Sequence, residues 1–114
     1  MDILDHSGNR EDVNRAIGLL KESGKAGFVG AQSILGYLYS TGKYVKIDGK
    51  TAISWYTLAA EQKDDISQYN LGLIYAQGKL VNRNIATAKV WLGEASKNGN
   101  KDAQNVLRIL EKVH

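Results

Sequence analysis

The chain has 114 residues, 43% of them hydrophobic and 24% charged, and it contains no Cys and no Pro. This balance is typical of one folded domain with its own core, and no apolar run approaches the roughly 18 residues that a transmembrane helix needs. The absence of Cys excludes a disulfide framework and thiolate metal sites. The net charge of +3 is scattered without a basic block, so neither a nucleic-acid partner nor membrane insertion is expected.

The first residues of the chain bear on its cellular compartment. Residues 1–6 are acidic and too short in apolar length for a signal peptide, which predicts a cytoplasmic protein as the sequence is written. A periplasmic or secreted location would follow if a signal peptide had been removed. The lack of Cys is compatible with either compartment.

Apolar residues spaced by three and four positions, together with few β-branched runs, favour helices along the whole chain. No strand is predicted. The pattern predicts six helices, at residues 11–24, 29–41, 49–62, 65–77, 85–98 and 101–113.

The predicted helix ends carry recurrent signals. Gly42 and Gly78 stand where helices should end, and Gly adopts the left-handed C′ conformation without a Cβ penalty. Asp12, Asp48 and Asn84 stand where the following helices should begin, and each side chain can accept a hydrogen bond from an orphan N–H. These signals predict sharp reversals between antiparallel helices.

The sequence repeats itself with a period of 36 residues. Leu35-Gly36-x-x-Tyr39-x-x-Gly42 returns as Leu71-Gly72-x-x-Tyr75-x-x-Gly78. A period of this length marks stacked supersecondary units that bury their apolar faces against each other. The predicted organisation is a single domain over residues 1–114, with a half repeat at 11–27, full repeats at 28–63 and 64–99 and a C-terminal capping helix at 100–114. A fragment of a longer array remains an alternative.

The repeated small and large residues suggest how the units pack. Gly36 and Gly72 lie in mid-helix, where Gly costs about 1 kcal/mol relative to Ala, so we expect them to let a neighbouring helix approach closely. The aromatic residues of the repeat are expected to fill the core. These are Tyr39, Trp55, Tyr75 and Trp91.

The repeated unit resembles a known family. It reads Ala31-x-x-x-Leu35-Gly36-x-x-Tyr39-x-x-Gly42-x-x-Val45-x-x-Asp48, followed by Ala52-x-x-Trp55-Tyr56-x-x-Ala59-Ala60-Glu61-Gln62. This pattern is similar to the Sel-one-like repeat, a 36-residue relative of the tetratricopeptide repeat. Two departures are Lys63, where Gly is usual, and Trp91-Leu92 in place of Trp-Tyr.

The resemblance implies an all-α fold, an α-solenoid of stacked antiparallel helix pairs, and a function in protein binding. Members of the family are common in bacteria and act as adaptors, mostly through the concave face. The implied function is a non-catalytic interaction module that binds another protein or a peptide. A bacterial immunity protein that neutralises a secreted toxin is the alternative, and the oligomeric state is open.

The resemblance also implies which residues line the concave face. The position after each Leu-Gly pair points into the groove, which selects Tyr37, Leu73 and, in the last helix, Ile109. Polar and aromatic residues on the same helical faces would flank this row. They are Ser33, Ser40, Thr41, Tyr69 and Gln77. Apolar anchors with a polar rim are typical of a peptide-binding surface. In the alternative interpretation, Leu73 and Ile109 simply pack against each other or against the C-terminal cap.

Residues with catalytic or ligating chemistry are sparse. His6 and His114 are the only histidines, and both stand near chain ends, where a triad or metal site would lack support. Asp64 and Asp65 are explained by the start of a helix. No enzyme activity, cofactor or metal is therefore predicted.

Overall fold

The computed structural model describes residues 10–112, and this part of the chain is built from α-helices alone. The all-α prediction is confirmed, and the helix bounds agree with the predicted ones to within one residue at most ends. The last predicted helical residue, position 113, lies outside the described residues. In chain order the helices are α1 (Arg10–Lys25), α2 (Val29–Thr41), α3 (Gly49–Glu61), α4 (Asp65–Gln77), α5 (Ile85–Lys97) and α6 (Lys101–Lys112).

The helices form two complete hairpins in an elongated stack. α2 packs along α3, and α4 packs along α5, while α1 precedes the first hairpin and α6 follows the second. Contacts between α3 and α4 join the two hairpins. The resulting body measures 47 × 25 × 25 Å, so the chain is an α-solenoid in which each unit buries its apolar face against its neighbours.

The mid-helix glycines allow close approach within each hairpin, as predicted. A Cβ added to Gly36 would lie 2.6 Å from the Tyr56 ring, and one added to Gly72 would lie 2.5 Å from Leu92 Cγ. Tyr56 and Leu92 are 2% and 0% exposed. The two hairpins therefore share one packing rule, in which a Gly of the first helix receives a large side chain of the second.

The predicted aromatic core is only partly correct. Tyr39, Trp55, Tyr75 and Trp91 are all half-buried rather than fully buried. Tyr75 and Trp91 pack against the cluster formed by Tyr56, Ala60, Leu71 and Ile74. The residues that follow each Trp, Tyr56 and Leu92, are fully buried instead, because they face the glycine of the neighbouring helix.

The predicted helix ends are mostly confirmed. Gly42 and Gly78 are left-handed, with φ of 77° and 70°. Asp48 accepts from the N–H of Thr51, and Asn84 accepts from that of Thr87, so both cap the helix that follows them. The third prediction was wrong. Asp12 lies inside α1 (Arg10–Lys25) and not at its start, and its carboxylate pairs with Arg15 at 3.6 Å.

A buried glutamine, Gln32, and an exposed one, Gln62, join the helices at the first connector. Gln32 is 3% exposed, and its Nε2 donates to the Gly24 carbonyl at 2.9 Å. Its Oε1 accepts from Nε2 of Gln62 at 2.8 Å. Gln62 also donates to the Gly27 carbonyl at 3.0 Å. A buried amide needs such partners, since burial without them costs about 1–3 kcal/mol.

The same network recurs one repeat later. Gln68 Nε2 donates to the Ala60 carbonyl at 3.1 Å, and Asn98 Nδ2 donates to Gln68 Oε1 at 2.9 Å. Asn98 also reaches the Lys63 carbonyl at 3.4 Å. The network repeats with its hydrogen-bond directions unchanged, so it belongs to the fold of the repeat.

The connectors α1–α2, α3–α4 and α5–α6 each reverse the chain through one left-handed residue. Gly27, Lys63 and Gly99 have φ of 100°, 71° and 91°, and they occupy equivalent positions 36 residues apart. Lys63 thus adopts the backbone conformation of the glycine that it replaces. This is unfavourable for a residue with a Cβ, by roughly 1–2 kcal/mol.

Candidate functional site

A cavity of about 260 Å³ lies between α2 and α4, with α3 contributing to its wall. Its helical lining residues come from the three helices that meet where the two hairpins join. The lining residues are Tyr37, Ser40, Thr41, Tyr56, Asn70, Leu73, Ile74, Gln77 and Leu80. We call this cavity the junction groove.

The structure brings together several of the residues that the sequence selected for a concave binding surface. Tyr37, Ser40 and Thr41 line one side of the junction groove, and Leu73 and Gln77 line the other. Tyr37 is 50% exposed, so its ring is available to a partner. An exposed aromatic side chain beside an apolar wall is a common anchor for protein binding.

The remaining predicted residues lie elsewhere. Ser33, Tyr69 and Ile109 are absent from the lining of the junction groove. Tyr69 packs against the C-terminal core cluster of Ala88, Leu92, Ala95 and Ala103. Ile109 lies on α6 and is 61% exposed. The predicted row of Tyr37, Leu73 and Ile109 is therefore divided, and only its first two members share a cavity.

Two hydroxyl groups of the groove are already engaged by the backbone. Ser40 Oγ and Thr41 Oγ1 donate to the Tyr37 carbonyl at 3.0 and 2.8 Å. Both hydroxyls keep lone pairs that can accept a hydrogen bond.

Sequence reasoning missed Tyr56 and Asn70. Asn70 Nδ2 donates to the Tyr56 hydroxyl at 3.3 Å, and both residues line the junction groove. The signal for Asn70 was present in the repeat, because the equivalent positions hold Ile34 and Val106. A polar residue at a repeat position that is otherwise apolar indicates a departure from the packing that the repeats share.

The Tyr56 phenol remains protonated at neutral pH. Burial raises the pKa of Tyr56, and side-chain hydrogen bonding with Ser40 and Asn70 opposes that rise. Desolvation disfavours the phenolate because the charged form loses its hydration. The groove wall therefore carries a neutral hydroxyl, and the residues that line the groove are all uncharged.

A second cavity of about 530 Å³ lies beside the connection between α2 and α3. Its lining combines the loop with one residue of α1 and one of α2, and consists of Asn14, Tyr39, Tyr44, Val45, Lys46, Ile47 and Asp48. The Asp48 carboxylate in this lining already accepts from the N–H and the hydroxyl of Thr51. The carboxylate in the wall of this larger cavity therefore already serves as the N-cap of α3.

Residues 10–112 contain neither a metal-binding cluster nor a helix that could span a membrane. Between residues 10 and 112, no group of three or more His, Cys, Asp or Glu side chains could hold a metal ion. Within the same range, no helix is both long and apolar enough to cross a bilayer. The two histidines, His6 and His114, lie outside the described residues.

The stacked hairpins and their shared glycine packing define a helical-repeat protein of the α-solenoid class. The model of the Sel1 repeat matches twice, at residues 29–64 and 65–100. The chain belongs to the Sel1 repeat family, which is the Sel-one-like repeat that its motifs resemble. Sel1 repeats generally mediate protein–protein interactions, and their fold is typically a non-catalytic scaffold.

Solved structures with the same fold come from bacteria. A Sel1 repeat protein from Oxalobacter formigenes is 36% identical, with a TM-score of 0.77 over 89% of this chain and 29% of that one. A protective antigen of uropathogenic Escherichia coli with an SLR fold is 35% identical, with a TM-score of 0.76 over 81% of this chain and 20% of that one. The resemblance thus extends to the spatial arrangement of the repeats.

Curated relatives come from mammals. DAP3-binding cell death enhancer 1 of Rattus norvegicus is 35% identical over 99 residues, and that of Mus musculus is 34% identical over 99 residues. In both cases the match covers 87% of this chain and 19% of the relative. The chain therefore spans about a fifth of the length of these relatives.

Proposed function

We propose that the chain is a non-catalytic interaction module that binds a segment of a partner protein in the junction groove. The observation that carries this proposal is the placement of a half-exposed Tyr37 opposite Leu73 across one uncharged cavity. Aromatic anchors near the centre of a binding surface contribute most of the affinity in many protein complexes. The groove supplies such an anchor on rigid helices.

The relatives support binding as the general activity. The mammalian relatives carry a name that describes binding to another protein. The match covers only a fifth of the length of these relatives. Their partner is therefore not proposed as the partner of this chain. Neutralisation of a secreted toxin, the alternative implied by the resemblance, has no support in these comparisons.

The proposal can be tested with a phage-displayed library of random peptides selected on the immobilised wild-type chain. Binding of the enriched peptides is then measured by isothermal titration calorimetry with wild type and with Leu73→Asp. We expect Leu73→Asp to weaken binding at least tenfold, since it places an uncompensated charge in a desolvated apolar contact. Tyr37→Ala should weaken binding by about tenfold because it removes the aromatic anchor.

A matched control separates the groove from general effects of added charge. Val90 lies on α5 outside the groove and is 62% exposed, so Val90→Asp introduces the same charge on another surface. We expect it to leave the affinity within twofold of wild type, and thermal unfolding followed by circular dichroism should show all variants folded. Equal losses for Leu73→Asp and Val90→Asp, or a selection that enriches no peptide, would contradict the proposal.

A further inference from the structure

Three polar residues of the junction groove have apolar counterparts one repeat later. Shifting the positions of Ser40, Tyr56 and Asn70 by 36 residues gives Ala76, Leu92 and Val106. The second set is entirely apolar. Ala76 and Val106 pack against the C-terminal cluster that contains Leu92, so the same fold is built at this position without any polar group.

Because the second position folds in the same way with apolar residues, the fold does not require the polar groups of Ser40, Tyr56 and Asn70. Gly36 receives Tyr56 and Gly72 receives Leu92 with the same close approach, so the phenol hydroxyl adds nothing that the packing needs. Placing a hydroxyl and an amide in a half-buried position costs desolvation free energy that the apolar set avoids. A role in recognition explains why the polar groups are found at the groove.

Asn70 has hydrogen-bonding capacity left over. One N–H of its amide is donated to the Tyr56 hydroxyl. Its amide oxygen and second N–H have no partner among the described residues, although Asn70 lines the junction groove. An amide with one free acceptor and one free donor matches the C=O and N–H of a peptide main chain.

We propose that Asn70 binds the main-chain N–H and C=O of an extended, uncharged segment of the partner, and that Tyr56 is the positioning residue that holds Asn70 in place. This rests on the proposed function of the groove. An extended segment is required because a helix uses its own main-chain groups internally. An uncharged segment is expected because the lining residues carry no charge to compensate a buried one.

The test uses a peptide selected on wild type and synthesised with each main-chain nitrogen methylated in turn. N-methylation removes one main-chain donor and leaves the side chains unchanged. For wild type we expect one position at which methylation weakens binding about tenfold, the effect of one lost hydrogen bond in a desolvated site. In Asn70→Val, which installs the side chain found at Val106, the same methylation should change the affinity by less than about twofold.

The role of Tyr56 is tested with Tyr56→Phe, which keeps the ring against Gly36 and removes only the hydroxyl. We expect unmethylated peptide to bind this variant several-fold more weakly, with a reduced effect of the critical methylation. A purely structural role would leave the methylation effect at its wild-type size. Thermal unfolding of each variant shows that the comparison is made between folded proteins.

The outcomes separate this inference from the function on which it rests. If methylation has the same effect in wild type and Asn70→Val at every position, while Leu73→Asp still abolishes binding, the inference is overturned and the groove remains the binding site. If Leu73→Asp binds the peptide as tightly as wild type does, the junction groove is not the binding site and both proposals are overturned. Loss of the methylation effect in Asn70→Val alone establishes the contact.

Discussion

The two hairpins share residues that pack and connect their helices, and they differ at many other positions, including those of the junction groove. Both use the buried glutamine network, in which Gln32 and Gln68 hold equivalent carbonyls and accept from the next connector. They diverge where Tyr56 and Asn70 of the junction groove are replaced by Leu92 and Val106. Positions that repeat are therefore those that build the solenoid, and positions that diverge are free to serve recognition.

The largest expected effect concerns the glycines that both hairpins share. Gly36→Ala places a Cβ 2.6 Å from the Tyr56 ring, and we expect it to lower the free energy of unfolding by about 2 kcal/mol through overpacking. Gly93→Ala is the matched control, because Gly93 lies within α5 and an added Cβ meets nothing within 4 Å. It should stabilise the chain by roughly 0.5–1 kcal/mol through helix propensity. Urea unfolding would measure both, and equal effects would contradict the packing rule.

The glutamine network gives the next largest effect. Gln68 is 1% exposed and hydrogen-bonded on both sides of its amide, so Gln68→Ala should cost about 2 kcal/mol of unfolding free energy. Gln104 occupies the same place in the repeat but is exposed, and Gln104→Ala should change the free energy by less than about 0.5 kcal/mol. A similar cost at both positions, measured by chemical denaturation, would show that the network contributes little.

The connectors offer a prediction of opposite sign. Lys63 adopts the left-handed conformation that Gly27 and Gly99 adopt in the other connectors. Lys63→Gly should raise the free energy of unfolding by about 0.5–1 kcal/mol, because the relief of strain exceeds the entropy that Gly adds to the unfolded chain. The contact of Asn98 with the residue 63 carbonyl uses the backbone and is retained. A lower melting temperature for Lys63→Gly would be inconsistent with this account.

The smallest effect distinguishes the two helix caps. Hydrogen bonds from the Thr51 side chain and backbone lower the pKa of Asp48 from its ordinary value of 3.8, whereas the equivalent Asn84 does not titrate. Because the folded-state pKa is depressed, the stabilisation by Asp48 is complete above the unfolded-state pKa and is lost as the pH falls through the folded-state pKa. Melting temperatures of wild type should therefore fall relative to Asp48→Asn below about pH 4. Parallel curves for the two proteins would refute the difference between the caps.

Much of the fold was predictable because its determinants are local and repeated. Gly42 and Gly78 end helices, and Asp48 and Asn84 begin them, through backbone preferences that act within a few residues. Asp12 shares the repeat position of those caps, yet α1 extends past it to Arg10. Equivalence in sequence did not ensure equivalence in structure at the edge of the array.

The candidate site was less predictable because it depends on contacts between units. Tyr37 and Leu73, which the resemblance selected, line one cavity, whereas Ile109 of the same predicted row lies on α6 and is absent from the lining of the groove. Tyr56 was overlooked because the Trp-Tyr pair is part of the repeat, and a repeated residue suggests packing. Only the arrangement of α3 against α2 and α4 shows that its hydroxyl meets Asn70 at a groove.

The most direct test of the central claim is a titration of the ¹⁵N-labelled chain with a peptide selected on wild type, followed by NMR chemical shifts. We expect the largest shifts on the backbone amides of Tyr37, Asn70 and Leu73 and on the side-chain NH₂ group of Asn70. Shifts concentrated on the exposed parts of α3 and α5, around Leu58 and Val90, would contradict this expectation and place the binding surface outside the junction groove.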